Sequence, residues 1–291
     1  MTSANVAVPR PAAAPARASA EQDSSPAPMI FRIVTVITFA YLLIPAIIVI
    51  LAGLNSGNYL TFPPEGLSLK WVQSFLTSDT FLPAYLYSLR LGFVTTIVST
   101  VLGTMTAIFL TRVSFPGRSL VRALFLAPLL LPGLVIGLAL YVYYLNIPGL
   151  GLSRTFGGML IGHILVTMPF VIGTVSAALY GFDLSLEEAA RSLGAGPVHA
   201  FMTVTFPNIK AGITAGSLFA FIVSFGQFDL SLMLSTPNNT PLPFAMYSSL
   251  RYQFEPTSAA AGAFAIALVV VSMILTSRVT NLSKFGGIKF S

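Results

Sequence analysis

The sequence predicts an all-α polytopic membrane protein with six transmembrane helices. Three observations carry that expectation: a composition starved of charge, a series of apolar runs each about one bilayer long, and cations gathered on one side of those runs. Of 291 residues, 55% are hydrophobic and 8% charged, with a mean hydropathy of +0.84. A soluble domain carries roughly 25% charged residues, and a water-facing shell for a core of this size is not available from so few. The net charge of +6 would suit nucleic acid, but no dense basic run occurs, so the cations speak to membrane orientation instead. With no cysteine, a disulfide framework, thiolate metal sites and cysteine nucleophiles are excluded.

Residues 1–28 are rich in Ala, Pro and Ser with few large apolar side chains. Such a segment does not offset the entropy of ordering itself and is expected to be a disordered cytoplasmic tail. The membrane domain follows over residues 29–291. Its first apolar run, Ile33 to Leu54, is about 22 residues, longer than a signal-peptide core and without a small-x-small cleavage pattern behind it, so an uncleaved span is expected. Five more runs follow, roughly Ser88 to Thr111, Arg122 to Leu145, Gly157 to Tyr180, Ile213 to Ser235 and Ser258 to Val279, each near the ~20 residues a spanning helix needs. Placing the N-terminus inside puts eleven of the fifteen cations in the cytoplasm and leaves Lys70, Arg90, Arg154 and Arg251 outside. The positive-inside rule prefers that arrangement, with both termini and residues 181–212 cytoplasmic.

Several spans are built to meet other helices. In the second, Gly92, Thr96, Thr100 and Thr104 recur every four residues beside Thr95, Ser99, Gly103 and Ala107, and small residues at that spacing let backbones approach closely. The third carries Pro128, Pro132, Gly133 and Gly137 and the fourth Pro169 and Gly173, so both are expected to break or bend within the membrane. Breaks in two successive spans favour a translocation path.

The loop between the fourth and fifth spans reads as helix, turn, helix. Ser185 with Glu188 three residues on has the form of a capping box. Glu187 and Glu188 fall in a first turn, where the dipole favours anions, and Gly194 suits the left-handed residue after the last turn, at positive φ. The first helix is thus expected over Leu186–Leu193. Pro197 opens a second short helix, where its missing N–H costs nothing. The product is a stiff hairpin projecting into the cytoplasm.

Glu188-Ala189-Ala190, three residues, Gly194, nine residues, then Val204-Thr205-Phe206-Pro207 resembles the EAA loop of bacterial binding-protein-dependent ABC import permeases. That pattern is Glu-Ala-Ala, Gly, then Ile-x-Leu-Pro, from which Val204 and Phe206 depart conservatively. The resemblance covers the chain from about residue 30 and implies a MetI-like permease core in the bacterial inner membrane. It implies that the hairpin is a coupling helix seated on a separate ATPase subunit, with Glu187, Glu188, Ala189, Ala190, Gly194 and Pro207 as coupling residues. It also supplies the partners: two ATP-binding subunits, a second permease subunit and a periplasmic solute-binding protein, with surrounding membrane lipid and no nucleic acid. No lysine of this chain stands in a phosphate-binding loop, so ATP and magnesium belong to the partner and this chain binds no cofactor and is not itself an enzyme.

Finer details, among them Ala127-Pro128, Pro132-Gly133, Gly162-His163, Ser224-Phe225-Gly226-Gln227-Phe228 and Leu242-Pro243, are similar to permeases of the spermidine/putrescine type. Those permeases typically carry an acidic pair where Gly226 and Gln227 stand and often an acid where Gly133 stands. A small hydrophilic solute, polyamine-like or another organic cation, is therefore the expectation, with an organophosphonate, opine or iron chelate as the alternative. Asp229 is the one acid placed inside a span, and it either senses a cationic solute or pairs with Arg90, Arg251 or a companion subunit. Gln227, Phe225 and His163 join it as candidate pathway residues, His163 also reading as an interhelical hydrogen-bond partner. With no second histidine nearby and no cysteine, no metal site is expected. Residues 244–254 read as a short interfacial helix at the outer mouth, with Tyr247 and Tyr252 as anchors. Two rivals fare worse. A secondary transporter needs coupling carboxylates and inverted repeats, and an intramembrane enzyme needs a nucleophile with its base.

Overall fold

The computed structural model describes residues 27–147, 149, 151–252 and 255–280. All but the last two residues of the expected tail, and Lys284 and Lys289, lie outside them. Among the described residues the chain is helical, and pairing between extended segments is confined to two isolated bridges. Contacts divide it into a unit ending at Ile44 and a second from Pro45 onward. Helix α1 (Ala27–Gly53) begins in the first, where the side chains from Met29 to Ile44 are all exposed and almost all apolar, as a lipid-facing helix requires.

In the second unit, α2 (Lys70–Leu76) precedes α3 (Phe81–Arg112), which packs against α6 (Phe156–Tyr180) and α9 (Phe206–Phe225) to form the core. The face of α3 that does this is Ser88, Gly92, Thr95, Ser99, Gly103 and Ala107, all buried, while Thr96, Thr100 and Thr104 flank it. Backbone proximity explains the small side chains: a Cβ added to Gly103 would lie 2.8 Å from Val171 of α6. Ser99 and Thr167 hydroxyls meet across the same seam at 2.8 Å. Phe75, Phe81, Phe225 and Leu242 form a second buried cluster toward the α3 N-terminus.

The run from Arg122 to Leu145 breaks as its prolines and glycines predict, into α4 (Arg118–Leu126), a 3-10 turn at Ala127–Leu129 and α5 (Gly133–Asn146), whose axes turn by 102°, while the next two expected spans differ from what is observed. Pro132 forces the break: it has no N–H to donate, and the residue before a proline is pushed out of helical geometry. The fourth span, by contrast, runs unbroken through Pro169. There Pro169, Val171 and Ile172 are buried between neighbours, and packing holds the helix across the missing bond. The fifth ends at Phe225, and residues 226–228 separate it from α10 (Asp229–Leu234), which lies against α5. Asp229 thus opens a separate helix rather than sitting within a span. Helix α11 (Leu242–Tyr252) and α12 (Thr257–Thr280) follow as expected. Among the described residues five helices are long and apolar enough to cross a membrane, and six if the bent pair counts as one span.

Candidate functional site

The hairpin comprises α7 (Ser185–Ser192), α8 (Pro197–Ala200) and a π-helical turn (Phe201–Thr205) that runs directly into α9. Its second arm is therefore the start of the fifth span, not a separate short helix. Pro207 accounts for the wide turn. Its ring clashes with the carbonyl four residues back, and the N–H of Phe206 reaches five residues back to the Phe201 carbonyl instead. Asn208 Nδ2 satisfies the Val204 carbonyl at 2.7 Å.

The capping box does not form. Helix α7 starts one residue earlier than expected, so Ser185 has helical rather than cap geometry; Leu184 stands at the cap, and Asp183 just before it accepts the Ser185 N–H on Oδ1 at 3.0 Å. That bond holds the Asp183 carboxyl below its ordinary pKa. The other end matches expectation: Gly194 has φ of 94°, its N–H reaches the Arg191 carbonyl, and the Ala195 N–H reaches Ala190. This pair of bonds is the Schellman closure. A Cβ on Gly194 would touch nothing within 4 Å, so the backbone angle alone calls for glycine.

The Arg112 guanidinium, in the last turn of α3, grips the Glu187 carboxylate in bidentate fashion at 3.1 and 2.6 Å. The Thr205 hydroxyl donates to the same carboxylate and accepts from Arg112 Nη2 at 3.2 Å. Arg112, through its hydrogen bonds first and Thr205 after it, lowers the Glu187 pKa from the usual 4.5. This is the one ion pair among the described residues. It ties α7 to two core helices at once, and charge-assisted bidentate bonds are among the strongest such ties. Glu187 is thereby turned inward. Glu188 and Ala189 remain exposed, beside exposed apolar side chains of Leu186, Leu193 and Val198, with Leu193 90% exposed. Pro207 is also exposed, and Ala190 is half-buried.

The two helix breaks meet. A Cβ added to Gly133 would lie 3.0 Å from Asp229 Cβ, from Asp229 Oδ2 and from Gln227 Nε2. Glycine here is what lets the start of α5 close on the segment between α9 and α10. Asp229 is exposed and Gln227 half-buried, and no hydrogen bond or ion pair engages the Asp229 carboxylate among the described residues. Pairing with Arg90 or Arg251 does not occur. Arg90 lies over the Phe156 ring, and Arg251 donates to the Tyr247 hydroxyl at 2.6 Å.

The remaining pathway candidates are interior. Phe225 is 4% exposed and packs edge-on against Tyr85 in the second cluster. His163 is buried, with Nδ1 2.8 Å from Ser224 Oγ of α9 and Nε2 without a partner. It is an interhelical tie, as one of its sequence readings holds. Among the described residues no group of three histidine or acidic side chains is placed to hold a metal. Sequence reasoning missed Arg112 and Thr205 as site residues. A cation closing a span just before a cytoplasmic turn was the available signal for the first, while Thr205 occupies the unspecified position of the loop pattern.

With the hairpin and broken helices in place, comparison with known proteins gives the class. Residues 99–283 match the family of binding-protein-dependent transport system inner membrane components, and the chain belongs to that family, the permeases of ABC importers. It is 29% identical over 237 residues to the spermidine/putrescine transport system permease protein PotC of Escherichia coli (strain K12), covering 81% of this chain and 87% of that one. It is 26% identical over 216 residues to the trehalose transport system permease protein SugB of Mycobacterium tuberculosis, covering 73% and 78%. Among solved structures, a bacterial alginate ABC transporter in complex with alginate pentasaccharide-bound periplasmic protein superposes with a TM-score of 0.64 at 15% identity, over 88% of this chain and 94% of that one. The MetNI methionine ABC transporter gives 0.58 at 17% identity, over 69% and 95%. These two share the fold.

Proposed function

We propose that this permease passes a small organic cation inward past the junction of the broken helices at Gly133, Gln227 and Asp229, driven by a separate ATP-binding subunit docked on the α7 hairpin. The supporting observation is the Arg112–Glu187–Thr205 clamp, which fixes the hairpin to α3 and α9 so that a push on α7 is delivered to the core helices. The exposed Glu188, Ala189, Leu186 and Leu193 supply the docking surface, and Gly194 sets its angle. Two ATP-binding subunits, a companion permease and a periplasmic solute-binding protein complete the assembly, with the hairpin end and both termini cytoplasmic. Nucleotide and magnesium are held by the partner. Import then follows alternating access, in which closure of the ATP-binding subunits moves the hairpins and re-aims the broken helices.

An organic cation is favoured because the one acid at the junction of the broken helices has no partner among the described residues, and because relatives include polyamine permeases. Where those permeases carry acids, Gly226, Gln227 and Gly133 stand here, so Asp229 is left to hold the positive charge alone. ATP hydrolysis should be measured on the purified chain with and without the ATP-binding subunit encoded beside it. Activity is expected only with the partner, and hydrolysis by this polypeptide alone would contradict the reading.

A further inference from the structure

At the end of the bundle opposite the hairpin, the first turns of α3, the 237–240 loop, α11 and Glu255 enclose a pocket of about 440 Å³, within the size range of small-molecule sites. The charged residues that line it, Asp79 and Glu255, are both acids. The fold leaves polar capacity there unused. Ser249 is 6% exposed and its hydroxyl has no hydrogen-bond partner among the described residues, and the Tyr87 hydroxyl is likewise buried and unpartnered among them; both residues line the pocket. Glu255 is held in place by one oxygen, which accepts the Thr257 hydroxyl at 2.7 Å. Asp79 is exposed, with no ion pair among the described residues.

The cations of this end are each engaged by another side chain. Lys70 donates to Asn58 at 2.9 Å, and Arg90 lies 4.7 Å over the Phe156 ring. Arg154 lies 5.4 Å over Tyr141, and Arg251 is taken up by Tyr247 and by the ring of Tyr252 at 5.7 Å. Two carboxylates without a third ligand do not make a metal site. Two carboxylates set among Tyr87 and Phe244, whose ring faces attract ammonium groups, do suit an organic cation.

We propose that this pocket is an outer holding site for an ammonium-bearing organic cation, occupied before the solute reaches the junction at Asp229. The proposal rests on the orientation and solute class given under Proposed function. Because the chain has no cysteine, Ser248→Cys, on the pocket wall, places a single reporter thiol there. In right-side-out membrane vesicles holding the full chain with its native partners, the thiol should react about tenfold faster with a trimethylammonium thiosulfonate than with a sulfonate-bearing one, a preference set by the local field. Millimolar spermidine should slow that reaction while a neutral disaccharide does not, and Asp79→Asn with Glu255→Gln should erase both effects. Equal rates for the two reagents, no protection by spermidine, or no labelling at all would overturn the proposal. Charge preference with spermidine protection in a transporter that imports no organic cation would uphold the pocket and sink only the solute reading.

Discussion

The hairpin and the helix junction are built from the same kinds of residue to opposite ends. Around Glu187 the carboxylate is saturated, gripped by both arms of Arg112 and by Thr205. Around Asp229 the carboxylate is open, beside a glycine that leaves it room and an amide half-exposed to the same space. A satisfied, partly buried ion pair resists change because removing one partner strands the other, whereas an unpaired acid at a helix break is free to take a ligand. On the proposed function, one acid transmits motion and the other meets what is moved.

The largest expected effect breaks the hairpin's aim. Gly194→Val forces a β-branched residue to φ of 94°, a strain of about 1–2 kcal/mol, too small to unfold the bundle. Glu188→Lys reverses a charge on the exposed face of α7 and sets a cation at the positive end of its dipole. Both variants should insert at normal levels, lose ATP-dependent uptake and lose ATP-binding subunit in pull-downs from matched membranes. A middling effect is expected at the junction. Asp229→Asn keeps the shape and removes the charge, so half-maximal uptake should need about tenfold more solute, with pull-down of the ATP-binding subunit unaltered. Uptake unchanged in that variant would take Asp229 out of the path.

The smallest effect concerns pH. The folded-state pKa of Glu187 lies below its ordinary 4.5, so the clamp contributes fully above that value and is lost only as pH falls through the lowered one. Hairpin order, followed by amide hydrogen exchange in residues 185–192, should be flat from neutrality down to about pH 5 and should loosen only in stronger acid. Loosening near neutrality would point to a different titrating group.

Much of this was legible in the sequence. Apolar run lengths located the spans, and the turn chemistry of Gly194 gave its positive φ, because those signals are local. Proline was read in the same way at two places. The two differ in outcome: at Pro132 the expected break is found, a turn of 102°, while at Pro169 a break is expected and the helix continues, a difference decided by the buried neighbours around Pro169. The pattern puts a capping box on Ser185, whereas Leu184 stands at the cap and Asp183, two residues before Ser185, takes up the Ser185 N–H. Long-range partners were out of reach. Arg112 and Glu187 stand 75 residues apart and Gly133 and Asp229 almost a hundred, and no periodicity connects them.

Exchanging the clamp's charges tests the central claim most directly. Arg112→Ala and Glu187→Ala each leave a charge without its partner, and each should cut uptake at least tenfold while ATP hydrolysis by the assembled transporter continues, so that turnover is uncoupled from transport. The double exchange Arg112→Glu with Glu187→Arg restores an ion pair at the same place and should recover a substantial part of coupled uptake. The measurement is solute imported per ATP hydrolysed in reconstituted vesicles. Single variants that stay fully coupled, or an exchange no better than either single variant, would show that the Arg112–Glu187 bridge does not carry the motion from the hairpin to the core.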